Sequence, residues 1–140
     1  MRIVLLFILM SCSTLLWSAE QPDSLAVAKL YNTSWKLTEK YRISGIFHRR
    51  HKLENPSEVY LTIYKDEIHT SLESGKYQIC ASRHRNRNEF WLDCREMDQQ
   101  IFRVVRIDGD VLVMDVLRRL SGEQEYKRAT RNYYVRRKGE

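Results

Sequence analysis

The most reactive side chains of this sequence are four histidines and three cysteines. Two of the histidines lie in His48-Arg49-Arg50-His51-Lys52. That H-x-x-H spacing offers a metal two imidazoles. Three cations in the same run oppose a metal's charge, and no carboxylate or thiolate within it completes a ligand set. A solvated basic loop between strands is therefore the expectation. A second basic cluster, Arg83-His84-Arg85-Asn86-Arg87, reads as a hairpin tip. With Arg49, Arg50 and Lys52 it would make one positive surface, suited to an acidic protein or another polyanion such as lipopolysaccharide phosphates. A nucleic acid would also want exposed aromatics among the cations, and Tyr60 and Tyr64 are the candidates. His48, His51, His69, His84 and Lys52 contain the residue types of a general acid–base pair, but nothing in their spacing makes them converge. The sequence has no G-x-S-x-G, H-E-x-x-H, phosphate-binding glycine loop or Cys-x-x-Cys. The expectation is a non-enzymatic protein without metal or cofactor.

The cysteines divide by position. Cys12 sits in an N-terminal segment laid out for export. Arg2 precedes the apolar run Ile3 to Met10, small residues follow, and Ser18-Ala19 offers a cleavage site. The run is shorter than the roughly 20 residues that span a bilayer. Residues 1–19 thus read as a signal peptide. Alternatively, Leu9-Met10-Ser11-Cys12 resembles a bacterial lipobox, with Cys12 lipidated and the protein held at the cell envelope. Export, secreted or periplasmic, is the expectation on either route, with a membrane as partner only if Cys12 is lipidated. Nucleic acid is then not an expected partner. Cys80 and Cys94 remain, and two cysteines in an oxidising compartment favour one disulfide.

Composition fits a folded domain. The 140 residues are 43% hydrophobic and 30% charged, with a formal net charge of +6. That is too apolar for disorder and too short for two domains or a large enzyme fold.

The elements that must position these residues are mostly strands. Residues 20–34 form a lead-in segment, extended or with one short helix that groups Val27, Leu30 and Tyr31. From Trp35 the pattern alternates with period two, placing Trp35, Leu37, Tyr41 and Ile43 on one face. Further strands fall at 58–64, 68–72, 76–84, 89–97 and 101–107. Asp108-Gly109 signals a tight type I′ hairpin turn into the strand beginning at Asp110. The last strand lies within 124–137 and includes Tyr126, Tyr133 and Val135. About eight short strands joined by hairpins indicate an all-β antiparallel up-and-down barrel over residues 35–140. Its interior candidates are Leu37, Leu61, Ile63, Ile68, Leu72, Ile79, Leu92, Val105, Leu112 and Met114. They either fill the barrel or line a pocket for an apolar ligand. If strands 76–84 and 89–97 pair around Arg87, Cys80 lies directly opposite Cys94, within reach of a bridge.

This pattern resembles the calycin, or lipocalin-like, barrels of bacterial exported proteins. The likeness rests on the lead-in segment, the Trp35-Lys36-Leu37 opening of the first strand, the meander and the aromatic-basic last strand. In plan it is similar to the serralysin-type metalloprotease inhibitors, exported eight-stranded barrels whose N-terminal segment enters the protease cleft. The resemblance implies an inhibitor of a secreted protease, or a binder of another extracellular protein. Its contact residues would be Glu20, Gln21, Pro22, Asp23, Ser24 and Leu25, together with the tip Arg83, His84, Arg85, Asn86, Arg87 and Asn88. The alternative it implies is a lipocalin-like carrier of a small apolar ligand.

Overall fold

A computed structural model describes residues 27–44, 47–53, 59–71, 75–95 and 97–139 of the chain. The expected signal peptide, Cys12, and the lead-in residues Glu20 to Leu25 lie outside them, as does Leu72.

The described lead-in is a single 3-10 turn, Val27–Leu30, rather than an α-helix. Val27 and Leu30 are buried and Tyr31 packs beside them. Asn32 then takes a left-handed φ of 61°, a conformation that asparagine tolerates better than most residues.

Nine strands follow: β1 Thr33–Ser44, β2 Phe47–His51, β3 Tyr60–Ile63, β4 Glu67–Ser71, β5 Tyr77–Asn86, β6 Glu89–Asp93, β7 Gln100–Asp108, β8 Val111–Arg118 and β9 Lys127–Arg136. The last is shorter than the sequence pattern suggests, and Tyr126 precedes it. Each strand from β3 to β9 pairs antiparallel with its successor, and β9 returns to β1. β1 also pairs with β3 through Thr33 to Lys36, which closes an eight-stranded barrel. The closed antiparallel barrel is as the sequence pattern predicts and is compatible with a calycin-like architecture.

The ninth strand is the departure. His48 to His51 belong to β2, not to a loop. β2 pairs with Lys40 to Ser44, on the same edge of β1 that carries β3 lower down. Four of its five residues are exposed and no alternation marks it, so hydrophobic periodicity could not find it.

The barrel has a closed end and an open end. At the closed end Trp35 is fully buried and donates its indole N–H to Thr33 Oγ1 at 2.7 Å. Thr33 Oγ1 in turn donates to the Leu30 carbonyl at 2.5 Å, tying the 3-10 turn to the first strand. Arg136, opposite Trp35 on β9, lies over the indole ring at 5.3 Å. Leu30, Trp35, Ile63, Phe90, Val104 and Leu112 fill this half of the interior.

Two interior expectations fail. Ile79 is 58% exposed, because Cys80 is the β5 residue that points inward. Val105 sits at an irregularity in β7, between Val104 and Arg106, and leaves the inward row. The β7–β8 turn also shifts by one residue. Asp108 pairs with Val111, so Gly109 and Asp110 are the central residues. Gly109 has φ 53° and Asp110 has no positive φ. A positive angle at the first central position alone is the type II′ pattern, not I′.

The disulfide register is as expected. Ala81 pairs with Asp93 and Ser82 with Leu92, so the next pair along is Cys80 and Cys94. They are bonded, with Cα atoms 4.5 Å apart, the spacing of directly opposed residues on a non-hydrogen-bonded site.

Candidate functional site

The open end of the barrel holds a pocket of about 310 Å³. Its walls are the mouth-side halves of β1, β3, β4, β6, β7, β8 and β9. Leu37, Leu61, Leu92, Met97, Phe102 and Val116 form an apolar floor. The barrel is thus packed at one end and open at the other. The volume lies at the lower bound of ligand pockets, roughly 300–1,000 Å³.

One wall is polar. Thr130, Asn132 and Tyr134 alternate along β9, so all three point inward. They are 5%, 7% and 5% exposed. Asn132 Nδ2 donates to the Tyr134 hydroxyl at 3.0 Å. Burial pushes the Tyr134 phenol up to about 12, only partly offset by Asn132, so the ring stays neutral. Thr130 Oγ1 and Asn132 Oδ1 have no hydrogen-bond partner although both are buried. Buried polar atoms are nearly always satisfied, by protein, ordered water or a ligand, so both atoms are available to a polar group that enters the pocket. An amide rotated end for end would leave Nδ2 unpaired instead, so the need for a polar partner persists in either orientation.

Cations stand at the rim. Lys40 from β1 and Arg118 from β8 line the pocket, and no carboxylate does so among its described lining residues. The position of Lys40 depends on an irregularity in β1. The ladder with β9 steps from Leu37 directly to Glu39, leaving Thr38 extra. Thr38 spends its hydroxyl on the Tyr133 carbonyl at 3.1 Å. Beyond this bulge the alternation is reversed. Lys40 and Arg42 continue the inward row, opposite Asn132 and Thr130, while Glu39 and Tyr41 face out. There Tyr41 donates to Glu39 at 2.8 Å.

The residues singled out in the sequence are spread over the molecule. His48 and His51 lie on β2 near the mouth. His69 faces outward from β4, 2.8 Å from Glu67 and 2.6 Å from the Tyr77 hydroxyl. His84 points toward the closed end and contacts the Tyr31 hydroxyl. The four histidines therefore do not converge. Among the described residues no group of three or more His, Cys, Asp or Glu could hold a metal. Tyr60 and Tyr64 do not interleave with the two basic clusters. Tyr60 neighbours Tyr77, Tyr64 neighbours His69, and Arg137 lies over Tyr60.

The hairpin tip Arg83 to Asn88 lies at the closed end, away from the pocket. Arg83 and Arg85 point outward and flank the Trp91 ring, at 5.5 and 5.3 Å. Arg87 accepts a hydrogen bond at its carbonyl from the Val27 amide, 2.9 Å. Val27, the first described residue, therefore joins the barrel beside this tip. Asn86 caps the turn, accepting from the Asn88 amide and donating to Glu89.

Sequence reasoning missed the pocket's polar wall and its rim. The signal was the period-two series Thr130-x-Asn132-x-Tyr134, hidden because the intervening Arg131 and Tyr133 are equally amphipathic. Comparison with protein-family models, with curated proteins and with solved structures found no match for this chain.

Proposed function

We propose that this protein is an exported, non-enzymatic binding protein that carries a small amphipathic ligand in the open end of its barrel. The supporting observation is the pair of buried, unpartnered polar atoms, Thr130 Oγ1 and Asn132 Oδ1, above an apolar floor. Folding alone would not favour leaving them unsatisfied, since each costs roughly 1–3 kcal/mol. A ligand with an apolar body and a polar group would satisfy both surfaces. An environment-sensitive dye should brighten saturably on the folded protein and be displaced by decanol. Val116→Phe, which fills the floor, should abolish the uptake while the fold persists by circular dichroism. Failure of the folded wild type to take up dye would overturn the reading.

A second reading has its own support. The Val27 amide bond to Arg87 brings the start of the described chain against the tip Arg83 to Asn88. This reading builds the binding surface of a secreted-protease inhibitor from residues 20–25 and that tip. Deleting residues 20–25 should abolish inhibition without moving the melting temperature, and inhibition that survives the deletion would exclude it.

A further inference from the structure

We infer that the pocket's ligand is anionic at its outer end, with a carboxylate or phosphate headgroup held by the inner face of the β1–β2 hairpin. This rests on the carrier reading and specifies its ligand.

The bulge at Thr38 decides the charge of this face. Without it, the inward row Trp35, Leu37 would continue through Glu39 and Tyr41. With it, the carboxylate of Glu39 goes outside and Lys40 and Arg42 come in. Outside, Glu39 meets Arg50 of β2 at 3.7 Å.

β2 then adds to the inner row. His51 pairs with Lys40, and Arg49 pairs with Arg42. Directly opposed residues share a face, so Lys40, Arg42, Arg49 and His51 form one basic surface rising from the pocket wall. Arg118 stands on β8 at the rim. Among the described residues no ion pair engages Arg42, Arg49 or Arg118. Like charges directly opposed across two strands are destabilising. The Arg42–Arg49 pair therefore costs the fold something, with no described carboxylate paired to either residue. An anion between them turns that repulsion into attraction.

The geometry sets the ligand's direction and size. The floor is apolar, the polar wall lies midway and the cations are outermost. The ligand therefore enters tail first. At about 30 Å³ for each water-sized unit, 310 Å³ admits a tail of roughly ten non-hydrogen atoms.

The test uses four probes with tails of nine or ten carbons on the mature protein: decanol, decanoate, decyl phosphate and decyltrimethylammonium, each competing with the dye. The two anions should bind roughly tenfold tighter than decanol, and the cation weakest. Raising salt should erode the anions' advantage and leave decanol unchanged. In the double variant Arg42→Gln/Arg49→Gln, anion affinity should fall roughly twofold per cation removed, toward that of decanol, with decanol unaffected. Whichever anion binds tighter, decanoate or decyl phosphate, assigns the headgroup. Decanol binding as tightly as both anions would overturn the inference while leaving the carrier reading standing. Binding by none of the probes would overturn both. If the double variant does not fold, the wild-type salt series decides alone: an anion preference insensitive to salt refutes the basic face.

Discussion

Arg131 holds Asp115 by two parallel hydrogen bonds on the outside of the barrel, Nε to Oδ1 at 2.7 Å and Nη2 to Oδ2 at 3.0 Å. Arg128 adds a third contact at 3.6 Å. The carboxylate is almost fully buried, whereas the guanidinium keeps about a quarter of its surface in water. The same row across the sheet holds Glu89 and Arg103, 2.7 Å apart. Registers align Glu89 with Arg103, Arg103 with Asp115 and Asp115 with Arg131. Opposite charges thus alternate across four neighbouring strands.

This asymmetry gives the first prediction. Arg131→Leu strands a buried carboxylate and should cost roughly 3 kcal/mol. Asp115→Leu leaves a guanidinium that can rehydrate, and should cost less. The double variant should recover much of the loss, because a buried ion pair is often replaceable by apolar residues. Urea midpoints of the three variants check it; a double variant less stable than Arg131→Leu alone would contradict it.

The second prediction concerns the bridge. Native protein, denatured without reductant, should expose no reactive thiol from Cys80 or Cys94. Replacing both by Ala should cost roughly 2–4 kcal/mol, since the bridge closes a short loop in the unfolded chain. For a domain of this size the melting temperature should fall by roughly 10–20 °C. Two titratable thiols per chain would refute the bond.

Tyr134 sets an alkaline limit. Its phenol is raised from 10 to about 12 by burial, so the folded state holds a proton that the unfolded state has lost. Its contribution is complete below pH 10 and is lost as pH rises through 12. Two pH units correspond to roughly 2–3 kcal/mol. Stability measured between pH 10 and 12 should fall more steeply in wild type than in Tyr134→Phe. Equal slopes would mean that Tyr134 ionises like an exposed tyrosine.

At the closed end, Trp35→Ala should cost roughly 3–5 kcal/mol, the range for deleting a large buried aromatic. Gly109→Ala should cost only about 1 kcal/mol. A Cβ there meets nothing within 4 Å, so the positive φ is the whole penalty. Thermal melts of the two variants side by side give the ranking, and a Gly109→Ala protein as unstable as Trp35→Ala would reverse it.

The barrel itself was legible in the sequence because its inner residues alternate with its outer ones over the start of β1 and over β3, with turn residues between. The Cys80–Cys94 register followed from folding a hairpin about Arg87, although the alternation read for that strand put Ile79 inside. Legibility failed where alternation failed. β8 is buried on both faces, since Val113, Asp115 and Leu117 are nearly as buried as Leu112, Met114 and Val116. β2 is polar on both faces and reads as loop. The bulge at Thr38 cannot be seen in a pattern of single residues, yet it alone decides whether Glu39 or Lys40 faces the pocket.

The hydrogen bond from Val27 to Arg87 also gives the molecule a handle. Val27 lies at the closed end, and the mouth opens at the other. Were the protein tethered to a membrane at this end, the barrel would hang like a cup by its base. The rim, with Lys40, Arg42 and Arg118, would then point away from the membrane and toward whatever diffuses past.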